Sequence, residues 1–182
     1  MERRTGRLLS SILAATVLAF VPLLLVAIYE DKPAQAHYMN DDSVVGGDIR
    51  YADGPDFKYI HARYWAVREW NRVGRIPILK DTSSTDRDLE FKQYFKVSLT
   101  QAYYDSRPTD VDKIWFNRYR MDKFSTYDRE AVAVHELGHA LRLGHTPTTS
   151  YWRNRSIMYW DAKATPWHRP QRHDKNDYRS IW

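Results

Sequence analysis

The chain has 182 residues, 43% of them hydrophobic, 28% charged and 14% aromatic, with no cysteine and a formal charge of +5. That balance excludes a disordered, collagen-like or multi-pass membrane protein and bounds the chain to one or two small domains. Without cysteine there is no disulfide framework, thiolate metal site or thiol nucleophile, so any metal must be held by His, Asp or Glu.

The first 36 residues read as an address rather than as fold. Arg3, Arg4 and Arg7 precede an uncharged run from Leu8 to Tyr29, and Ala34-Gln35-Ala36 has the small residues of a signal-peptidase site before His37. A secreted protein is expected, with a single domain over 37–182. The alternative is an uncleaved anchor over residues 8–29, because 22 uncharged residues can cross about 30 Å of hydrocarbon. Charge in the remaining chain is uneven: residues 37–150 carry 17 Lys+Arg against 17 Asp+Glu, and residues 151–182 carry 7 against 3. This basic tail reads as a solvated surface that can also draw the protein to an anionic cell wall or membrane. No nucleic-acid motif accompanies it, so no nucleic-acid partner is expected, and the protein is expected to be a monomer.

No repeat or low-complexity linker divides residues 37–182. Val44–Ala52 reads as a first strand, closed by the turn Asp53-Gly54-Pro55. Phe57, Ile60, Tyr64 and Val67 then recur at helical spacing and continue to Trp70 or Asn71, with Gly74 and Pro77 as the stop and Trp65 and Trp70 as core residues. Ile76–Lys80 and Asp88–Tyr94 read as strands around the polar loop Asp81–Asp86, a solvated turn whose oxygens also make it a weak candidate for Ca2+. Further strands are expected over Leu99–Tyr104 and Lys113–Asn117, and a last helix over His173–Trp182 with Tyr178, Ile181 and Trp182 facing inward. The class is therefore α/β or α+β.

The chemistry concentrates after Ser125-Thr126-Tyr127-Asp128, which has the form of a capping box and predicts a helix start. Inside that helix lies His135-Glu136-Leu137-Gly138-His139. Residues four apart stack on one helical face, so both imidazoles can reach one ion at Zn–N distances of about 2.0–2.1 Å. Glu136 is rotated about 100° from His135, beside the metal rather than on it, where its carboxylate can take a proton from a Zn-bound water. Catalytic zinc needs a third protein ligand, and His145 is the candidate. A continued helix would carry His145 about 240° around the axis, so the chain must turn back between Leu141 and His145, with Gly144 as a permissive hinge. His37, His61, His168 and His173 lack such spacing and read as surface or structural residues.

His135-Glu-Leu-Gly-His139-Ala-Leu-Arg-Leu-Gly-His145, followed by Ser156-Ile157-Met158-Tyr159, resembles the zinc signature and Met-turn of the metzincin metalloproteases, and the order of elements is most similar to their matrixin branch. The resemblance covers residues 44–182. It implies a metzincin-like catalytic domain built on a twisted mixed sheet, with an N-terminal helix, zinc helix, Met-turn and C-terminal helix. It further implies that His135, His139 and His145 bind zinc, that Glu136 is the catalytic base, and that Met158 forms a floor under the metal. A protein or peptide substrate would lie along the edge strand Leu99–Tyr104, with Met158–Trp160 and the segment to Trp167 lining its specificity pocket. The family has glycine where this chain has Arg142; an arginine at φ > 0 there costs about 1–2 kcal/mol unless Gly144 turns the chain later. Two alternatives use the same residues: a zinc-stabilised, non-catalytic cell-envelope binding module, and a zinc amidase acting on peptidoglycan peptides.

Overall fold

In the computed structural model residues 37–107 and 110–182 are described; the leader expected over 1–36 and the anchor alternative over 8–29 lie outside them. Alternation builds the sheet. In β1 (Ile49–Asp53), β3 (Leu89–Tyr94) and β5 (Asp112–Asn117), the side chains of Ile49, Tyr51, Leu89, Phe91, Ile114 and Phe116 are buried. Each of these pairs stands two residues apart, as one face of a pleated strand requires. With β2 (Ile78–Lys80) and β4 (Ala102–Asp105) the sheet has the order β2-β1-β3-β5-β4. All neighbours are parallel except β4, which runs antiparallel on β5 with Tyr104 opposite Ile114 and forms one edge. Parallel pairing forces crossovers, and the helix α1 (Ile60–Asn71) supplies the connection from β1 to β2.

The chain is thus mixed α/β with a five-stranded mixed sheet. Two strand starts differ from expectation by three residues or more, and the second strand starts at Ile78 rather than Ile76. The first strand starts at Ile49 rather than Val44, because Gly46 and Gly47 take φ of +63° and +93° and break the extended run. The edge strand starts at Ala102 rather than Leu99, because the buried Asn117 amide donates to the carbonyls of Lys96 and Thr100 (2.9 Å each) and folds the preceding residues into a loop.

The phase of α1 also differs from the expected face. Ile60 and Tyr64 are 43% and 56% exposed, while Ala62, Ala66, Val67 and Trp70 are buried together with Arg63 and Glu69. Small alanines let α1 approach the long helix α3 (Thr126–Ala140), and the Trp70 indole donates across to the carbonyl of Val134 (2.8 Å). The buried charges are paired: Arg63 donates to both carboxylate oxygens of Asp53 (3.1 and 2.8 Å), and Glu69 accepts from Arg72 (2.6 Å). Hydrophobic periodicity alone does not anticipate charges buried in pairs.

Helix α3 opens as its sequence predicts. Ser125 accepts from the Asp128 backbone N–H, and Asp128 accepts from the Ser125 N–H, giving a capping box. Every residue from Glu130 to Ala140 is buried. Two short helices, α2 (Arg118–Met121) and α4 (Ser150–Arg153), carry no periodic signal in the sequence and were not expected. The chain ends in α5 (Arg172–Ile181), with Tyr178 fully buried and Ile181 and Trp182 packed on the core. Among the described residues no helix is long and apolar enough to cross a membrane.

Candidate metal centre

His135 and His139 project from the same face of α3, and their Nε2 atoms stand 3.1 Å apart. The course of the chain beyond α3 decides the third position. The Leu143 N–H donates to the Gly138 carbonyl (3.0 Å) and the Arg142 N–H to the His139 carbonyl (2.8 Å), with Arg142 at φ +71°. These are the two bonds and the left-handed residue of a Schellman stop. The reversal therefore occurs at Arg142 itself, not later at Gly144. Gly144 serves close approach instead: a Cβ there would lie 3.2 Å from the Tyr38 carbonyl oxygen. The reversal returns His145 to the helix face, with its Nε2 3.0 Å from that of His135 and 3.1 Å from that of His139.

Arg142 holds a strained conformation where glycine would be free. Arg142→Gly should remove about 1–2 kcal/mol of strain. Part of that is returned, because the guanidinium bond to the Met39 carbonyl (3.2 Å) is lost and glycine gives up more entropy on folding. A net rise of about 1 kcal/mol, or about 2–4 °C in Tm, is expected by calorimetry; an equal or lower midpoint would show that the remaining contacts outweigh the strain.

The three rings are oriented so that their free nitrogens converge. His135 Nδ1 is 2.8 Å from the Ile157 carbonyl and His139 Nδ1 is 2.7 Å from the Leu143 carbonyl. A carbonyl can only accept, so both Nδ1 atoms carry the proton and both Nε2 atoms present lone pairs. Lone pairs at this distance repel unless a cation stands among them. The centre of such a triangle lies about 1.8 Å from each corner, close to a Zn–N bond of about 2.0–2.1 Å, so all three nitrogens could hold one ion. The donor set fits zinc. His135 and His139 are buried and His145 is exposed, so the centre opens to solvent on the His145 side.

Met158 is 2% exposed and lies against α3. A Cβ at Gly138 would fall 2.5 Å from its sulfur and 3.1 Å from Cζ2 of Trp70, so Gly138 is the residue that admits Met158 against α3. That role was not apparent in the sequence. Nor was the anchor of the turn: Asp174, 1% exposed, accepts from the Ser156 hydroxyl, from the Ile157 N–H (3.0 Å) and from the Gln171 N–H (2.7 Å). Ile157 in turn supplies the carbonyl that orients His135. Only the position of Asp174 in the first turn of the last helix hinted at it.

Glu136 is buried beside the histidines, and the backbone of Tyr104 in β4 opposes part of the effect of that burial on its carboxyl. Burial pushes its pKa up to about 8. Burial and then the neighbouring imidazoles push His135 well below its ordinary value of 6.5 and His139 to about 4; desolvation lowers His145 too. The consequences for metal-free protein have opposite signs. Depressed histidines protonate first in the unfolded chain, so their stabilisation is present above pH 6.5 and is lost as pH falls toward 4. Glu136 keeps its proton longer in the fold, so its stabilisation is present below its ordinary 4.5 and is lost as pH rises to about 8. Three histidines outweigh one carboxyl below 6.5, and the carboxyl acts alone above it. Chelator-treated protein should be most stable near pH 6.5 in urea unfolding from pH 4.5 to 8.5, and zinc should abolish the alkaline decline; a monotonic profile without metal would contradict this.

The loop Asp81–Asp86 is closed by its own hydrogen bonds, Thr85 donating to Asp81 (2.6 Å) and Thr82 N–H to Thr85 Oγ1 (2.9 Å). Among the described residues it contributes to no cluster of metal-binding side chains, and calcium is unsupported.

No family model and no curated protein matches this chain. Solved structures do. A chain of the GM1-bound form of the ECX AB5 holotoxin superposes with a TM-score of 0.54 at 16% identity, over 76% of this chain and 81% of that one. High choriolytic enzyme 1, a hatching-enzyme zinc-protease from Oryzias latipes (medaka fish), aligns at 21% identity over 66% of this chain and 52% of that one, with a TM-score of 0.39, which establishes no common fold. The first likeness is one of fold alone, so what the chain is similar to is an architecture, and its chemistry rests on the three histidines.

Proposed function

We propose that this protein is a secreted, zinc-dependent endopeptidase of the metzincin, matrixin-like type. The observation that carries the reading is the triangle of Nε2 atoms at 3.0–3.1 Å whose two buried members have their Nδ1 protons committed to backbone carbonyls. His135, His139 and His145 hold the ion. Zinc, when bound, supplies Lewis-acid polarisation of a carbonyl and acidifies water toward neutral pKa.

Glu136 does the proton work. Its carboxylate lies near the Tyr104 backbone, and burial raises its proton affinity into the range where a base can accept from water and later release to the leaving nitrogen. Because Tyr104 lies in the edge strand β4, the strand beside Glu136 also offers main-chain groups to an extended peptide. Met158 packs closely on Gly138, in the turn of α3 that carries His135 and His139. A solvated basic tail is suited to holding the enzyme near an anionic wall or membrane.

Zinc-loaded protein should cleave unfolded casein, stop on chelation and resume on added zinc. Zinc-replete protein that cleaves peptidoglycan peptides and not casein would make it an amidase; protein that cleaves neither would make it a binding module.

A further inference from the structure

Among the described residues, the three-histidine centre leaves one cluster of ligating side chains unexplained. His37, before the sheet begins, meets His173 and Asp177 of α5, which are four residues apart on one helical face. His173 Nε2 lies 3.1 Å from Asp177 Oδ2 and 3.3 Å from His37 Nδ1, and His37 Nδ1 lies 3.4 Å from the same oxygen. That oxygen also accepts from the His37 backbone N–H at 3.2 Å. We propose that His37, His173 and Asp177 form a second site for a divalent transition-metal ion of the zinc class.

Hydrogen bonding alone leaves this triangle frustrated. The carboxylate only accepts. If both ring nitrogens carry protons, two donors face each other; if one does, the other sets a lone pair against the carboxylate. A cation at the centre satisfies all three edges, and the centre lies about 1.9 Å from each corner, within reach of Zn–N and Zn–O bonds of about 2.0–2.2 Å. Two imidazoles and a carboxylate are a donor set that borderline ions take. The site is also built rather than merely exposed: the His173 and Asp177 side chains are 8% and 4% accessible, His37 is 24% accessible, and Trp152 walls it with its ring 4.3 Å from that of His173 and 5.7 Å from that of His37.

The site joins the start of the domain to its last helix. The His37 carbonyl accepts the Gly144 N–H (2.8 Å), and Met39 N–H donates to the Arg142 carbonyl (2.8 Å), so the segment being clamped is the one packed on the reversal that delivers His145. An ion here would fasten that reversal without touching the first centre's ligands.

The test is a zinc count on the full chain. Wild type, His37→Ala and His173→Gln are equilibrated at micromolar free Zn2+ and bound zinc is measured by mass spectrometry. Each variant should carry one zinc fewer than wild type, while the zinc lost on adding His139→Ala stays the same in every background. His37 lies outside every helix and strand, so His37→Ala tests the site without disturbing α5. Equal zinc in wild type and His37→Ala would overturn the proposal whatever the three-histidine centre binds, because the readout is the difference between the two proteins.

Discussion

Glu136→Gln lowers turnover of unfolded protein by about 10²–10⁴-fold and leaves zinc content unchanged; that is the expected result, and its size follows from removing the one group that can move a proton. Glutamine keeps the shape of the buried side chain, so the packing around β4 and α3 is preserved. What it lacks is a basic carboxylate. Because Glu136 is buried and its pKa stands near 8, the substitution also removes a titrating group from the interior, and the variant's metal-free stability should no longer decline between pH 6.5 and 8. Full activity with glutamine, measured alongside zinc content, would remove Glu136 from the chemistry.

Asp174→Ala should be the most damaging change outside the metal ligands. It strands the Ser156 hydroxyl and the backbone N–H groups of Ile157 and Gln171 in a buried site, and it breaks the capping box at the start of α5. Unsatisfied buried donors and a lost cap together cost about 3–5 kcal/mol in urea unfolding. The effect also travels to the metal. Ile157 holds His135 through its carbonyl, so loosening Ile157 should weaken zinc binding about 10–100-fold, as outer partners of ligating histidines do. Zinc affinity equal to that of wild type would show that the Ile157 carbonyl keeps its place without Asp174.

Much of this site was legible because it is local. The capping box at Ser125 and Asp128, the helix it starts, and the one-face placement of His135 and His139 depend on neighbours within one turn, and all three appear in the structure. The left-handed strain at Arg142 was legible as a cost. Where the reversal would occur was not, because Arg142 and Gly144 both stood as candidates, and the left-handed Arg142 with its two closing hydrogen bonds, and Gly144 packed on Tyr38, separate them only in the structure. The face of α1 was misplaced for a related reason: large apolar residues mark a buried stripe only where charges are not buried in pairs, and Arg63 and Glu69 are.

By itself, then, the amino-acid order determined the repeating elements, the alternation within β3 and β5, and the two ligands spaced one helical turn apart, since these depend on backbone hydrogen bonding and side-chain period over a few residues. Tertiary structure decided which carbonyls lock the imidazoles, how far Glu136 is withdrawn from water, and that His37 meets His173 and Asp177 across nearly the whole length of the domain. Those outcomes depend on desolvation and on contacts between residues remote in the chain, and neither quantity exists until the sheet and its helices have packed.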